Sequence, residues 1–187
     1  MSRVSEPPKN PGPIRVRTAV RADAEAIRRI YNHEVENTTA TMDLVSRSLA
    51  DQEEWLAART GAFAALVAVR TAGPEADPDF VAGPEEIVGF AALSPYKERA
   101  AYRPTVEDSV YVRRDLGRRG IGRLLLDGVV DLARTSGFHS VMARIEASGE
   151  ASRALHAACG FELVGIEREV GRKFNRWLDV ALMQKLL

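Results

Sequence analysis

Thr105-Val106-Glu107-Asp108-Ser109-Val110-Tyr111-Val112-Arg113-Arg114-Asp115-Leu116-Gly117-Arg118-Arg119-Gly120-Ile121-Gly122-Arg123-Leu124-Leu125-Leu126 is the stretch on which the reading of this chain turns. Its first part alternates, with Val106, Val110 and Val112 among polar and acidic neighbours, the pattern of a half-buried strand. Gly117, Gly120 and Gly122 stand among arginines and read as a tight turn. Beyond them Ile121, Leu124, Leu125, Val129 and Leu132 recur at helical spacing. A helix that starts this way offers first-turn N–H groups with no intrahelical partner at the positive end of its dipole. Glycines let a ligand approach that backbone and arginines add charge, so the junction suits a diphosphate.

Three phosphate motifs compete for this turn. A P-loop needs a lysine and a hydroxyl after its last glycine. Gly117 and Gly122 have the right separation, but Arg123 and Leu124 follow. A dinucleotide fingerprint needs a third glycine where Leu125 stands. The third pattern, Gln/Arg-x-x-Gly-x-Gly/Ala after a strand, is the acetyl-coenzyme A loop of the GCN5-related N-acetyltransferases (GNAT). Arg119-Gly120-Ile121-Gly122 resembles its core. Gly117 departs from the first position, a loss that matters little where backbone amides make the contacts.

The bulk numbers restrict the classes further. A chain of 187 residues with 45% hydrophobic and 28% charged residues suits one domain with a real core. A formal net charge of zero argues against a nucleic-acid partner, which calls for a basic surplus. Cys159 is the single cysteine, so no internal disulfide forms and a reducing cytoplasm is the expected compartment. Ala62 to Val69, the longest apolar run, is too short to span a membrane, and residues 1–13 lack the apolar core of a signal peptide.

Those first residues carry Pro7, Pro8, Pro11 and Pro13 and are expected to form a disordered tail before a domain over 14–187. Ile14 to Thr18 reads as a strand, and Asp23 as the N-cap of a helix carrying Ile27, Ile30 and Tyr31. Ser48 and Asp51 form a capping box for a second helix, anchored by Trp55 and Leu56 and closed by Gly61. Phe63 to Arg70 and Glu86 to Leu93 are strands, joined by what reads as a long exposed loop from Thr71 to Glu85. After the central stretch come a strand from Phe138 to Ile145, a short helix through Ala158, and strands Phe161–Glu169 and Trp177–Lys185. The order β-α-α-β-β-β-α-β-α-β-β is that of the GNAT fold. The resemblance implies an α/β architecture: a mixed central sheet of about six or seven strands with helices on both faces.

Local matches sharpen the resemblance to phosphinothricin N-acetyltransferases and their methionine sulfoximine-acetylating relatives. They include Tyr31-Asn32-His33, the run from Tyr96 through Thr105-Val106-Glu107 to Val112, the run from Ser152 to Phe161, and Trp177-Leu178-Asp179-Val180. The resemblance covers essentially all of 14–187. It implies an enzyme that moves acetyl from acetyl-coenzyme A to the α-amino group of a small amino acid or analogue in a ternary complex. It also implies a homodimer, with no metal, nucleic acid or membrane involved.

It further places Glu107 as general base and His156 as the acid for the leaving thiolate. Glu107 and Asp108 are adjacent on a strand and point to opposite faces, so at most one faces the site. His156 is open to a second reading as a helix histidine packed near Leu155. The coenzyme is expected on Val110, Tyr111 and Val112, on Gly117, Arg118, Arg119, Gly120, Ile121, Gly122 and Arg123, and at Ser152. An asparagine common in the family at the start of the last helix aligns with Gly149, which removes one contact to the pantetheine arm. Lys97, Arg99, Tyr102 and Tyr111 are the expected acceptor residues, with an arginine able to hold a carboxylate bidentately. Arg113 and Arg114 are read as solvated surface, and Cys159, among apolar neighbours, as core. Acetylation of another amine, a polyamine or a protein N-terminus, and a non-catalytic acyl-coenzyme A-binding module are the alternatives.

Overall fold

The computed structural model describes residues 13–187, so the proline-rich tail, Pro13 apart, lies outside the described residues. Strand β1 (Arg15–Thr18) is followed by helices α1 (Ala24–Asn37) and α2 (Leu49–Ala57). Then come β2 (Leu66–Thr71), β3 (Val81–Ala82), β4 (Glu85–Pro95) and β5 (Thr105–Val112). Helix α3 (Ile121–Thr135), β6 (Ser140–Glu146), α4 (Glu150–Ala158), β7 (Glu162–Lys173) and β8 (Arg176–Leu186) complete the chain. The sheet has eight strands, ordered β1-β2-β4-β5-β6-β8-β7 with the short β3 beside β4. It is mixed: β5 and β6 run parallel and the other pairs antiparallel. A parallel pair needs a crossover, and α3 provides it.

The period of two along the strands, reset in β4 where its register with β2 shifts between Ala68 and Val69, decides which helix each side chain meets. Val88 and Leu93 of β4, Val106 of β5 and Val141 of β6 pack under Leu125, Leu126 and Val129 of α3. On the opposite face Val67, Ile87 and Phe90 pack against Ile27, Ile30 and Tyr31 of α1 and Leu56 of α2. Ser48 caps α2 as the sequence predicts, its hydroxyl accepting from the Asp51 N–H while the Asp51 carboxylate accepts from the Ser48 N–H.

Three expectations are corrected. Asp23 precedes α1 but makes no side-chain cap; its carboxylate accepts from the Val20 N–H and is held bidentately by Arg17. The ion pair with a buried acid outcompetes the exposed first-turn amides. Helix α2 ends at Ala57, and Gly61, at φ +57°, starts a separate short turn, Gly61–Phe63. The segment 71–85 is not simply exposed. It forms a turn at Pro78–Phe80 and the strand β3, with Phe80 and Ala82 packed against the α1 side of the core. Apolar residues among its prolines and glycines fold it back onto β4.

Candidate active site

The parallel pair is short. β5 and β6 are registered from Thr105↔Ser140 to Glu107↔Met142 and then part. Beyond Glu107, β5 keeps only β4 as a partner among the described residues, through Val112. Backbone groups of Asp108 to Val112 on the β6 side are therefore left for something other than a strand. The opening begins at two carboxylates that alternation sends to opposite faces. Glu107 shares the α1–α2 face with Tyr111, and burial, opposed by the charge of Arg144, raises its pKa above the usual carboxylate range. Asp108, 8% exposed, faces α4.

There Asp108 meets His156, which is 4% exposed. The imidazole Nε2 lies 3.1 Å from Asp108 Oδ2, Nδ1 lies 2.7 Å from the Ser152 carbonyl oxygen, and the ring stands edge-on to Phe161. Both ring nitrogens face oxygen acceptors, a setting that favours the doubly protonated imidazole. Burial alone would lower the His156 pKa, but the hydrogen bond and charge of Asp108 outweigh it, and the net shift is upward. The other carboxylate oxygen, Asp108 Oδ1, is buried with no hydrogen-bond partner among the described residues. A group whose folded pKa is raised stabilises the fold fully below its unfolded value, near 6.5, and loses that contribution as pH rises through the folded value. Thermal unfolding followed against pH is expected to show the midpoint falling as pH rises above 6.5. His156→Phe removes that component of the profile; an unchanged profile in the variant would dismiss the charged pair.

At the far end of β5 a short turn, Arg114–Leu116, leads into the glycine loop. Gly120, at φ +77°, is the N-cap of α3, and no side chain caps the helix. Arg118 is also left-handed, at φ 61°. Arg118, Arg119 and Arg123 are exposed, and among the described residues only Arg123 pairs with an acid, Asp127 at 3.6 Å. The α3 amides thus point into open space rimmed by guanidinium groups. A Cβ on Gly120 would meet nothing within 4 Å, whereas one on Gly122 would press on Leu155 at 3.0 Å. Gly120→Val costs ~1–2 kcal/mol in left-handed strain and puts a branched side chain before the amides. The dissociation constant for acetyl-coenzyme A by calorimetry is expected to rise at least about tenfold; an unchanged constant would place the diphosphate elsewhere.

The family described as Acetyltransferase (GNAT) domain matches residues 16–182. The chain belongs to the GNAT acetyltransferase family. It is similar to the L-methionine sulfoximine/L-methionine sulfone acetyltransferase of Pseudomonas aeruginosa, 39% identical over 90% of this chain and 92% of the relative. Among solved structures it is similar to the phosphinothricin acetyltransferase of Sinorhizobium meliloti in complex with acetyl-coenzyme A. That match has 35% identity and a TM-score of 0.81, covering 93% of this chain and 88% of that one. It is also similar to the ribosomal-protein-alanine N-acetyltransferase of Brucella melitensis, with 38% identity and a TM-score of 0.81 over 92% and 99% of the two chains.

The GNAT coenzyme, acetyl-coenzyme A, fits the residues present. The uncapped α3 amides and the guanidinium rim suit a diphosphate, and the unpaired edge of β5 suits the amide-bearing pantetheine arm. Val110 and Val112 turn their side chains into the α3 core, so they would offer backbone alone. Ser152 spends its carbonyl on His156.

The expected acceptor residues divide. Lys97, Arg99 and Tyr102 come together with Glu98 around an open depression of about 480 Å³. The Lys97 ammonium stands 4.8 Å from the Tyr96 ring centre and 5.1 Å from that of Tyr102. Tyr111 is not among them: its ring stacks on Phe90 at 5.2 Å and meets Tyr31 edge-on. Burial raises its pKa.

Arg113 is not the solvated surface that its charge suggests, whereas Arg114 keeps an exposed side chain, 58% accessible, but is paired. Arg113, 9% exposed, pairs with Glu86 and Asp115 and lies 4.2 Å over the Phe80 ring. That contact anchors the 71–85 segment to the end of β5. Arg114 reaches the buried Glu34 of α1 through both Nε and Nη2, tying the acceptor-side helix to the start of the coenzyme loop. In sequence these arginines look like part of a basic run, because Glu86 and Glu34 lie 27 and 80 residues away.

Proposed function

We propose that this protein transfers the acetyl group of acetyl-coenzyme A directly to the α-amino group of a small amino acid or analogue, of the methionine sulfone and phosphinothricin type. The observation that carries the reading is the parting of β5 from β6 at a half-buried glutamate, in line with the uncapped helix α3. The coenzyme supplies an acyl thioester. Glu107 takes the proton that the acceptor ammonium must lose before its nitrogen can attack, and its raised pKa brings it nearer working pH. Amides on the free edge of β5 stabilise charge on the carbonyl oxygen. As the carbon–sulfur bond breaks, the thiolate needs a proton, and His156 on α4, whose pKa is raised, is the group to give it. To deliver it, Nε2 must exchange Asp108 for the sulfur.

The Lys97–Arg99–Tyr102 depression supports a small anionic acceptor. A homodimer working in the cytoplasm completes the reading. It is supported by the apolar side chains that β7 and the turn after it leave exposed, Leu163, Val164, Ile166, Val170 and Phe174, and by a single, buried cysteine.

A second reading, acetylation of a protein N-terminal alanine, is favoured by the Brucella structure alone. Thiol release with L-methionine sulfone, phosphinothricin, a polyamine and an alanine-initiated peptide separates the readings. Turnover on the first two, with the acetyl product confirmed by mass, is expected. Turnover confined to the peptide or polyamine would replace the reading, and coenzyme binding without turnover would reduce the protein to a binding module.

A further inference from the structure

Arg59 is a partly buried cation without a counter-ion. Among the described residues no carboxylate pairs with its guanidinium. Nη1 donates to the Trp55 carbonyl at 3.0 Å, Nη2 to Ser94 Oγ at 3.3 Å, and the group lies 3.6 Å over the Trp55 ring. Its Nε is buried with no hydrogen-bond partner among the described residues. Arg47 approaches the same ring, at 5.1 Å, and its nearest acid, Asp43, is 3.9 Å away. Burial, and then the charge of Arg47, pull the Arg59 pKa down to about 10. Leaving a cation in this state is costly unless something negative arrives.

The position of Arg59 says what arrives. Ser94 is the register partner of Glu107 in the β4–β5 ladder. Directly opposed antiparallel residues share a face with Cβ atoms about 5 Å apart. The guanidinium therefore touches the immediate cross-strand neighbour of the general base. In an α-amino acid the amine and the carboxylate hang on one carbon, so whatever holds the carboxylate must lie one side chain from the base. Lys97 and Arg99 are farther along, in the loop after β4 ends at Pro95.

We propose that Arg59 binds the α-carboxylate of the acceptor, with Arg47 as a second positive charge. The Lys97–Arg99–Tyr102 depression is thereby left to the acceptor's side chain. A guanidinium plane fixed by stacking on an indole is prepared for carboxylate recognition, which a lysine would not reproduce. The inference rests on the amino-acid reading above and adds the residue that selects free amino acids over other amines.

The test compares L-methionine sulfone with its primary amide as acceptors of the parent, Arg59→Met and Arg59→Lys enzymes. Loss of a charge-assisted hydrogen bond predicts a KM for the acid raised about 10- to 100-fold in Arg59→Met, with kcat changed far less. kcat/KM for the amide should stay within about twofold, since no charged partner is lost there. Arg59→Lys recovers part of the acid preference and carries the same comparison if the Met variant does not fold. Coenzyme affinity and thermal midpoint report folding independently. An equal loss on acid and amide, or no loss on the acid, overturns the assignment. A parent that prefers the acid, with a variant that keeps the preference, sinks only Arg59. A parent that acetylates no free amino acid sinks the amino-acid reading with it.

Discussion

Replacement of Glu107 by glutamine is expected to lower kcat by about 10²–10⁴-fold, the range contributed by a positioned general base, while acetyl-coenzyme A still binds. Glutamine keeps the shape of the side chain at the mouth of the β5–β6 opening and cannot take a proton. The sign of the pH dependence follows from the shift. Burial raises the Glu107 pKa, so the parent's activity should climb as pH rises through a value above the ordinary 4.5. The variant should lose that limb, with coenzyme affinity by calorimetry unmoved. Unchanged turnover across the pH range would remove Glu107 from the chemistry and leave its burial without a purpose.

Replacement of Phe90 by alanine is expected to cost ~3–5 kcal/mol of stability, as for other large-to-small changes at aromatic core positions. Phe90 is 1% exposed and lies at the centre of an aromatic cluster. Tyr111 stacks on it, Tyr31 meets it edge-on at 6.5 Å, and Trp55 does so at 6.0 Å. Each such contact is worth ~0.5–1.5 kcal/mol beyond the area buried. The residue also joins β4 to α1 and α2, so the cavity would open under Trp55 and beneath the guanidinium groups of Arg47 and Arg59. A fall in the thermal midpoint of roughly 6–20 °C is expected for a domain of this size. Acceptor KM should rise more than coenzyme KM, because α3 and its glycine loop pack on the other face. A loss below ~1 kcal/mol would mean that the cluster closes over the void.

Much of this molecule is written in local periodicity. The alternation from Thr105 to Val112 places Glu107 and Asp108 on opposite faces before any fold is known, and the helical repeat from Ile121 locates the uncapped amides of α3. Sequence reading goes astray where a residue's partner is far along the chain. Asp108 reads as a spare carboxylate until α4 brings His156 to it from 48 positions away. Arg113 and Arg114 read as a basic run until Glu86 and Glu34 pair with them. Arg59 follows the end of α2 and looks like ordinary helix-end charge; only the fold sets it on Ser94 beside the base. Asp23 shows the opposite error, because a residue well placed to cap α1 is taken by Arg17. Capping and periodicity act over a few residues, whereas the pairing of buried charges is decided by topology.

A crystal structure of the protein with coenzyme A and L-methionine sulfone bound tests the central claim most directly. The account predicts the diphosphate on the backbone amides between Gly117 and Arg123, the pantetheine arm along the free edge of β5, and the acceptor amine within reach of Glu107, directly or through one water. Coenzyme lying away from the α3 N-terminus, or an acceptor amine on the face of the sheet occupied by Asp108, would contradict it.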